Sequence, residues 1–563
     1  MAAESSGQVQ RVEWPGNTVR LAVVAITAVL GSLLGLSGLR TPPPVPATEP
    51  VFSALRAAAM TERLLGPLPR PVGSVANELA VRRLSDWLRS TGMEVEVDEA
   101  PVRVGGNEVK IRNIVARRVG AMPGPAVMLC AHHDTARMAP GAGDDGMGVA
   151  IVLEAAAALS GEPWKGRDVV LLISDGEEAG LLGARHFAAN HPWREKIGTV
   201  INIDNRGTSG PALIYETAGP DDSRLLQAIT PAVGPVVGNS LFATIASAMP
   251  NGSDLAVFRE AGVHGINIAL IGGHEHYHAA SDTWDNADRS SLQHEGQVAL
   301  ASLYALGMER PDSNKAEGQA VFLDVAGQML AWWPTRAGAT VALMCVAGIP
   351  TIGWLACRRL KSRRSSLIAG AIATVARAVI AAVVCAGLLL AGHALGLWGP
   401  SAAKAALPDA DARTLFMAAW WPASGPWILG ATMALGLVAA WKSTGRLLRG
   451  HDGFAALCGS WAAIAATVAG VAILAPGASA SLLPVSVAAM LALGVALALG
   501  PGRARSVLLV MAVPTFIAGL TLAPIESLGW TGVGLSMTPF AAARCAIYAA
   551  LLLTPLASPR ASA

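Results

Sequence analysis

The chain has 563 residues, of which 15% are charged and 52% hydrophobic, with a formal net charge of +2 and a mean hydropathy of +0.45. That length exceeds what a single hydrophobic core organises, and that hydropathy excludes an ordinary soluble protein. A net charge so close to zero, with no Lys/Arg stripe interleaved with aromatics, gives no case for a nucleic-acid partner.

The charge is unevenly spread. Acidic and basic residues crowd the segment from about Glu49 to Lys315, whereas beyond Arg336 long stretches carry none. This predicts a soluble domain joined to a multispan membrane region. Of 6 cysteines only Cys130 lies in the charged segment, so a disulfide within the soluble domain is excluded, and the membrane cysteines read as small packing residues.

In chain order, the uncharged run from Leu21 to Leu39 between Arg20 and Arg40 is long enough to cross a bilayer core. No small-x-small site directly follows it, which favours an uncleaved anchor over a signal peptide. Residues 1–40 are therefore expected as a cytoplasmic N-terminus and first span. The Pro-rich stretch 41–50 is expected as a stiff spacer lifting the next domain off the membrane. Residues 51–310 alternate short apolar runs with amphipathic stretches, the pattern of an α/β fold with helices on both faces of its sheet. The runs 126–131, 168–173, 199–203 and 266–270 read as strands buried on both faces, and 148–159, 180–189 and 290–306 as helices.

Residues 311–336 are expected as a linker and 337–563 as a membrane domain of about seven helices, near 338–357, 379–398, 423–441, 454–475, 479–499, 506–523 and 541–556. Arg544 interrupts the last; it reads either as a functional intramembrane charge or as a snorkelling interfacial residue. The basic cluster Arg358, Arg359, Lys361, Arg363 and Arg364 should stay cytoplasmic. Counting spans onward places Lys442, Arg446, Arg449, Arg503, Arg505 and Arg560 on the same side. Lys404 and Arg413 fall on the opposite side, in a loop shared with Asp409 and Asp411. Counting backward puts residues 41–335 outside the cytoplasm.

The chemistry-bearing motifs follow the predicted strands, where loops at the carboxyl ends of parallel strands form ligand sites. His132-His133-Asp134 offers a metal ligand, His132, and a carboxylate two residues along to orient its imidazole. In Gly141-Ala-Gly-Asp144-Asp145-Gly146, Asp144 is a candidate bridging ligand and either aspartate could cap the next helix. Ser174-Asp-Gly-Glu177-Glu178 presents adjacent carboxylates, one able to bind metal while the other handles a proton. Asp204 ends the strand 199–203, and His278 lies in Tyr277-His278-Ala-Ala-Ser-Asp282-Thr283. Each motif alone is unremarkable: a chance triplet, a helix cap, a solvated acidic turn, a turn-forming Asp and a surface His cluster. Their order points to paired zinc ions held by nitrogen and oxygen donors without a thiolate.

These ordered motifs resemble the di-zinc aminopeptidases, a family that includes secreted bacterial leucine-type enzymes and multispan metallopeptidases of vacuolar and endoplasmic-reticulum membranes. The resemblance covers roughly residues 50–310. It implies a mixed, mostly parallel sheet flanked by helices, a peptide substrate and two Zn2+ ions, one held by His132 and Asp204, the other by Glu178 and His278, with Asp144 bridging. By the same resemblance Glu177 is the general base, Tyr277 the oxyanion stabiliser, Asp134 the orienter of His132 and Asp282 a second partner of His278. Position 133 departs from the pattern with a second histidine, and the spacing to Asp134 selects His132. Arg206, two residues after Asp204, keeps a carboxypeptidase or dipeptidase open beside the aminopeptidase; an amidohydrolase and a non-catalytic binding protein of the same fold are further alternatives. The membrane half resembles the multispan members in arrangement only, and anchoring in the lipid bilayer is its expected role. Composition points to a bacterial cytoplasmic membrane with the domain on its outer side; a vacuolar or endoplasmic-reticulum membrane with a lumenal domain is the alternative.

Overall fold

The structure is a computed structural model, described here for residues 16–161, 163–219, 221–247, 252–310, 318–395, 425–500, 503–533 and 538–556. The chain divides into two compact units, Ser37–Thr335 and a second made of Met1–Leu36 with Arg336–Ala563. Through the first unit the elements run, after α1 (Asn17–Ser37), as α2 (Ala54–Leu65), α3 (Val75–Ser90), β1 (Glu94–Val104), β2 (Asn107–Arg118), β3 (Ala126–His132), α4 (Gly148–Leu159), β4 (Val169–Ser174), α5 (Leu182–Asn190), β5 (Ile197–Ile203), β6 (Leu213–Ala218), α6 (Asp222–Ile229), β7 (Val237–Gly238), α7 (Ser240–Ser247), α8 (Asp254–Glu260), β8 (His264–Ala269), α9 (Arg289–Met308), β9 (Ala320–Val325) and β10 (Met329–Pro334).

An eight-stranded sheet in the order β1-β2-β4-β3-β5-β8-β6-β7 forms the frame. Strands β4, β3, β5 and β8 are mutually parallel, while β2 and β6 run antiparallel to the strands beside them. The fold class read from sequence, a mixed and mostly parallel sheet flanked by helices, is therefore what the structure contains. Period-two alternation explains the apolar runs. Val127, Leu129 and Ala131 of β3 face a core shared with α2, α3, α4 and α9, whereas Ala126, Met128 and Cys130 face a second core under α5 and α8. Fully burying Val127, Met128 or Leu129 contributes about 1.5–3 kcal/mol each, and the alanines less. Helix α4 is buried almost all round, and its one charged residue, Glu154, is held by a two-pronged Arg56 at 2.6 and 2.9 Å.

The sequence-derived strands and helices lie within two residues of those observed. Helix α5 begins at Leu182 rather than 180 because Leu181 adopts a left-handed backbone (φ 60°) and its N–H closes a turn onto the Glu177 carbonyl at 2.9 Å. Two features differ more. The Pro-rich stretch is not a free spacer: the Val45 N–H donates to Gln293 Oε1 at 3.0 Å, Ser53 donates to the Val45 carbonyl at 2.8 Å, and Arg56 takes the carbonyls of Ala47, Glu49 and Val51. Carbonyls that a Pro-rich chain cannot use internally are satisfied by the folded domain. Within the stretch expected as a linker, β9 and β10 pair as an antiparallel hairpin.

In the second unit, α1 is followed by α10 (Thr335–Leu360), α11 (Ser365–Ala394), α12 (Gly425–Thr444), α13 (Gly453–Leu474), α14 (Leu483–Leu499), α15 (Ala504–Val533) and α16 (Thr538–Leu556). Among the described residues five helices are long and apolar enough to cross a membrane: Thr18–Ser37, Thr335–Leu360, Ser365–Gly392, Gly453–Leu474 and Ala504–Gly529. Leu483–Leu499 and Ala541–Thr554 are apolar but shorter. Small residues let α11 and α13 touch backbone to backbone, since a Cβ on Gly370 would lie 1.8 Å from the Ala456 carbonyl oxygen and one on Gly459 1.9 Å from that of Leu367.

Two expectations for this unit need correction. Helix α11 starts at Ser365, not near 379, because Arg377 does not break it: the buried guanidinium donates to Thr444 Oγ1 at 3.0 Å and to the Leu553 carbonyl at 3.3 Å, near the C-terminal ends of α12 and α16. Arg544 does not snorkel; it is 7% exposed and ion-paired with Glu526. Residues 1–15, most of 311–336 before the hairpin, and the loop carrying Lys404, Asp409, Asp411 and Arg413 lie outside the described residues.

Candidate metal centre

Every candidate ligand sits at the same edge of the sheet. His132 is the last residue of β3, Glu177 and Glu178 follow β4, Asp204 follows β5, and His278 lies in the loop after β8, while Asp144 stands between β3 and α4. These are the carboxyl ends of the four parallel strands. Two groups of donors converge there, His132 with Asp144 and Asp204, and Asp144 with Glu178 and His278, the donor atoms of each group all within 4.8 Å of one another. His132 Nε2 is 3.0 Å from Asp144 Oδ1, and His278 Nε2 is 3.1 Å from Asp144 Oδ2 and 2.9 Å from Glu178 Oε2. His278 Nε2 is buried yet has hydrogen-bond geometry to neither carboxylate. Edges of that length match a coordination shell with bonds of about 2.0–2.1 Å, and a nitrogen aimed between two carboxylates is a lone pair awaiting a cation. The donor set thus fits two ions sharing Asp144.

The approach to Asp144 depends on glycine. Gly141 has φ 65°, and a Cβ there would lie 2.3 Å from Thr135 Cγ2 and 2.6 Å from the Asp144 carbonyl oxygen. The peptide between Asp144 and Asp145 is cis. The two aspartates divide the roles left open between them: Asp145 Oδ1 accepts from the Gly148 N–H at 3.2 Å, capping α4, and its Oδ2 accepts from the His132 N–H at 3.4 Å. Asp144 is left facing the histidines. His133 points away, with its Nε2 donating to the Arg112 carbonyl at 3.1 Å.

Two supporting carboxylates also hold backbone atoms. Asp134 lies beside His132 as the motif implies, its Oδ1 3.5 Å from His132 Nδ1, with its own carbonyl oxygen nearer at 3.1 Å. The same carboxylate accepts the backbone N–H groups of Glu177 and Glu178 at 3.0 and 3.2 Å, so it fixes the backbone of both residues together. Asp282, read as a partner of His278, accepts the N–H groups of Gly143 at 2.6 Å and Asp144 at 3.1 Å. A strand-end loop leaves its backbone donors unpaired, and buried carboxylates go to those donors first. Tyr277 lies over the His278 ring, centroids 3.8 Å apart and planes 21° apart, with Arg206 Cζ 5.5 Å from the Tyr277 centroid.

Burial dominates the electrostatics. It pushes Asp204 up to about 7, aided by Asp144, and pushes Glu177 well above the usual carboxylate range, aided by Asp204. Burial would raise Asp144 as well, but His132 and His278 beside it hold it below its ordinary value. A raised Glu177 is suited to receiving a proton.

Three residues of the support were not singled out from sequence. Arg70 is 1% exposed and donates to the carbonyls of His133, Pro140 and Gly141 at 3.0, 2.7 and 3.2 Å, spanning the loop from His132 to Asp144. Burial lowers its pKa to about 10, so it stays cationic, with Asp134 and Asp282 facing it. Asn205 donates to Asp145 Oδ1 (3.4 Å) and Glu295 Oε2 (3.2 Å) and accepts from the Leu270 N–H, tying β5, β8 and α9 together. Asn205 had a signal in its place beside Asp204; Arg70 and Glu295 had none, each lying far along the chain from any motif.

Fold and donor set together define a mixed α/β unit with a candidate metal centre at the carboxyl ends of its parallel strands. Residues 113–303, a stretch that includes every candidate ligand, match the model of peptidase family M28. The chain is 28% identical over 327 residues to endoplasmic reticulum metallopeptidase 1 of Mus musculus, covering 53% of this chain and 36% of that protein. It is likewise 28% identical over 244 residues to a vacuolar membrane protease of Lachancea thermotolerans, covering 43% and 25%. The chain thus spans about a third or less of the length of these relatives. The resemblance drawn from the motifs, to multispan metallopeptidases of those two membranes, is borne out. Among solved structures, a Porphyromonas gingivalis glutaminyl cyclase covers 45% of this chain and 99% of its own at 21% identity and a TM-score of 0.37.

Proposed function

We propose that the chain is a membrane-bound two-zinc exopeptidase, an aminopeptidase that cleaves N-terminal peptide bonds. The observation carrying this reading is the convergence of His132, Asp144, Asp204, Glu178 and His278 into two donor groups sharing one carboxylate, with Glu177 beside them and no role in the cluster. His132 and Asp204 would hold one ion, Glu178 and His278 the other, and Asp144 both. When bound, the ion pair supplies Lewis acidity toward the scissile carbonyl and toward water.

The chain's own residues supply the rest. Glu177, desolvated and raised in pKa, takes the proton of the attacking water and returns it to the leaving amine. Asp134 sets the Glu177–Glu178 backbone so that base and ligand keep one geometry. Tyr277, whose ring stacks on His278 and carries Arg206 over it, would offer its hydroxyl to the developing oxyanion. The basic loops after α10 and between later helices support placing Ser37–Thr335 outside the cytoplasm.

Glu177→Gln should lower kcat by about 10²–10⁴-fold while the full chain keeps its zinc, whereas Glu178→Gln should lose zinc. Equal metal loss in both would show the roles reversed. Assays on free-amino, N-acetylated and N-terminal glutaminyl peptides separate aminopeptidase, amidohydrolase and cyclisation activities. Preferential cleavage of blocked peptides would sink the aminopeptidase reading.

A further inference from the structure

Like the buried Arg70, the half-buried Arg206 near this site forms no salt bridge among the described residues. Among the described residues no carboxylate lies within salt-bridge distance of its guanidinium, in contrast to Arg56, which is paired with Glu154, and Arg117, which is paired with Asp168. Its backbone is pinned, with the Arg206 N–H donating to the Leu270 carbonyl at 3.0 Å. The loop beyond it is laced by mutual Ser209–Gly272 bonds at 3.0 and 2.8 Å. Its side chain is laid on the Tyr277 ring, Cζ 5.5 Å from the centroid, and that ring stacks on the ligand His278 at 3.8 Å. Those two steps bound the distance from the His278 ring to the guanidinium carbon at 9.3 Å, the sum of 3.8 and 5.5 Å. A half-buried, pre-oriented guanidinium without a partner is an anion subsite: the planar fork matches a carboxylate, and its ordering cost is already met by the tyrosine face.

We infer that Arg206 binds the α-carboxylate of the substrate, so that the substrate class is dipeptides with a free C-terminus. This rests on the exopeptidase reading above. In a dipeptide the carboxylate stands one residue, about 3.8 Å, beyond the scissile bond, inside that 9.3 Å bound. In a tetrapeptide it lies about 11 Å away and overshoots.

The test uses the full chain in detergent, zinc-loaded, with a dipeptide, the same dipeptide as its C-terminal amide, and a dipeptide amide bearing a side-chain carboxylate in its second residue. The wild type should favour the free acid over the simple amide by about 10–100-fold in kcat/KM, the range for one charge-assisted pair. Arg206→Gln should bring that ratio to about 1, Arg206→Lys should restore part of it, and zinc content should be unchanged in both. In a Glu177→Gln background, calorimetric binding of acid and amide should show the same Arg206-dependent gap without turnover. A wild type that cleaves acid and amide equally overturns the inference and leaves the exopeptidase reading standing. So does a preference that follows the side-chain carboxylate, or loss of zinc in Arg206→Gln. A wild type that cleaves no peptide overturns both.

Discussion

Replacing Arg70 tests whether the metal site is held by its scaffold or only by its ligands. Arg70→Met removes three hydrogen bonds, to the carbonyls of His133, Pro140 and Gly141, at a position 1% exposed. Each buried acceptor left without a partner costs about 1–3 kcal/mol. The methionine recovers some of this, because it fills most of the volume and no cation need be buried. A net destabilisation of about 2–5 kcal/mol is expected. Because the loop so anchored connects His132 to Asp144, zinc affinity should also fall by about 10–100-fold, the usual effect of removing an outer partner of metal ligands. Competition with a chelator on the full chain in detergent reads the affinity. Intrinsic fluorescence during heating reads stability as a midpoint, since a chain of two units has no single unfolding free energy. Arg70→Lys keeps the charge but loses the fork and should fall between. Wild-type zinc affinity and an unshifted midpoint in Arg70→Met would refute this reasoning.

Asp134→Ala should lower both zinc affinity and kcat, since its carboxylate holds the N–H groups of Glu177 and Glu178; an effect on only one of the two, measured by metal analysis and steady-state rates, would contradict that double role. Glu295, in which burial raises the pKa to about 8, gives a signed pH effect. The folded state keeps its proton where the unfolded chain has lost it, so stability should fall as pH rises from about 4.5 to about 8 and level off above. Glu295→Gln should flatten that fall in melts of the metal-free chain; an unchanged slope would count against it. For topology, a reporter fused after Arg364 should read cytoplasmic and one near Pro311 extracytoplasmic, and both on one side would refute the placement.

How much of this could be read from the sequence follows from where each interaction begins and ends. The strands around Leu129, Leu171 and Ile201 were legible because burial on both faces demands unbroken apolar runs, and His132, Glu178 and Asp204 because they sit within a few residues of a strand end, whereas Asp144 and His278 stood out only by their own motifs. The edges of the sheet were harder. Strands β1 and β2 carry charged residues on exposed positions, and β6 has Glu216 paired with Arg259, so they lack that pattern. Partner choice was least legible. The sequence shows side chains but not which backbone N–H groups a turn leaves unpaired, so neither the hold of Asp282 on Gly143 and Asp144 nor that of Asp134 on Glu177 and Glu178 was legible. The span expected near 379–398 starts earlier because the acceptors that let Arg377 sit inside a helix, Thr444 and Leu553, lie on helices far along the chain.

Metal content of the full-length chain, measured by elemental analysis after equilibration with zinc, tests the two-ion site most directly. Wild type and Glu177→Gln should each hold about two zinc ions per chain, and His278→Ala about one, since His132, Asp204 and Asp144 would still hold the other. One ion or none in the wild type, or two retained in His278→Ala, would contradict a site built on a shared Asp144.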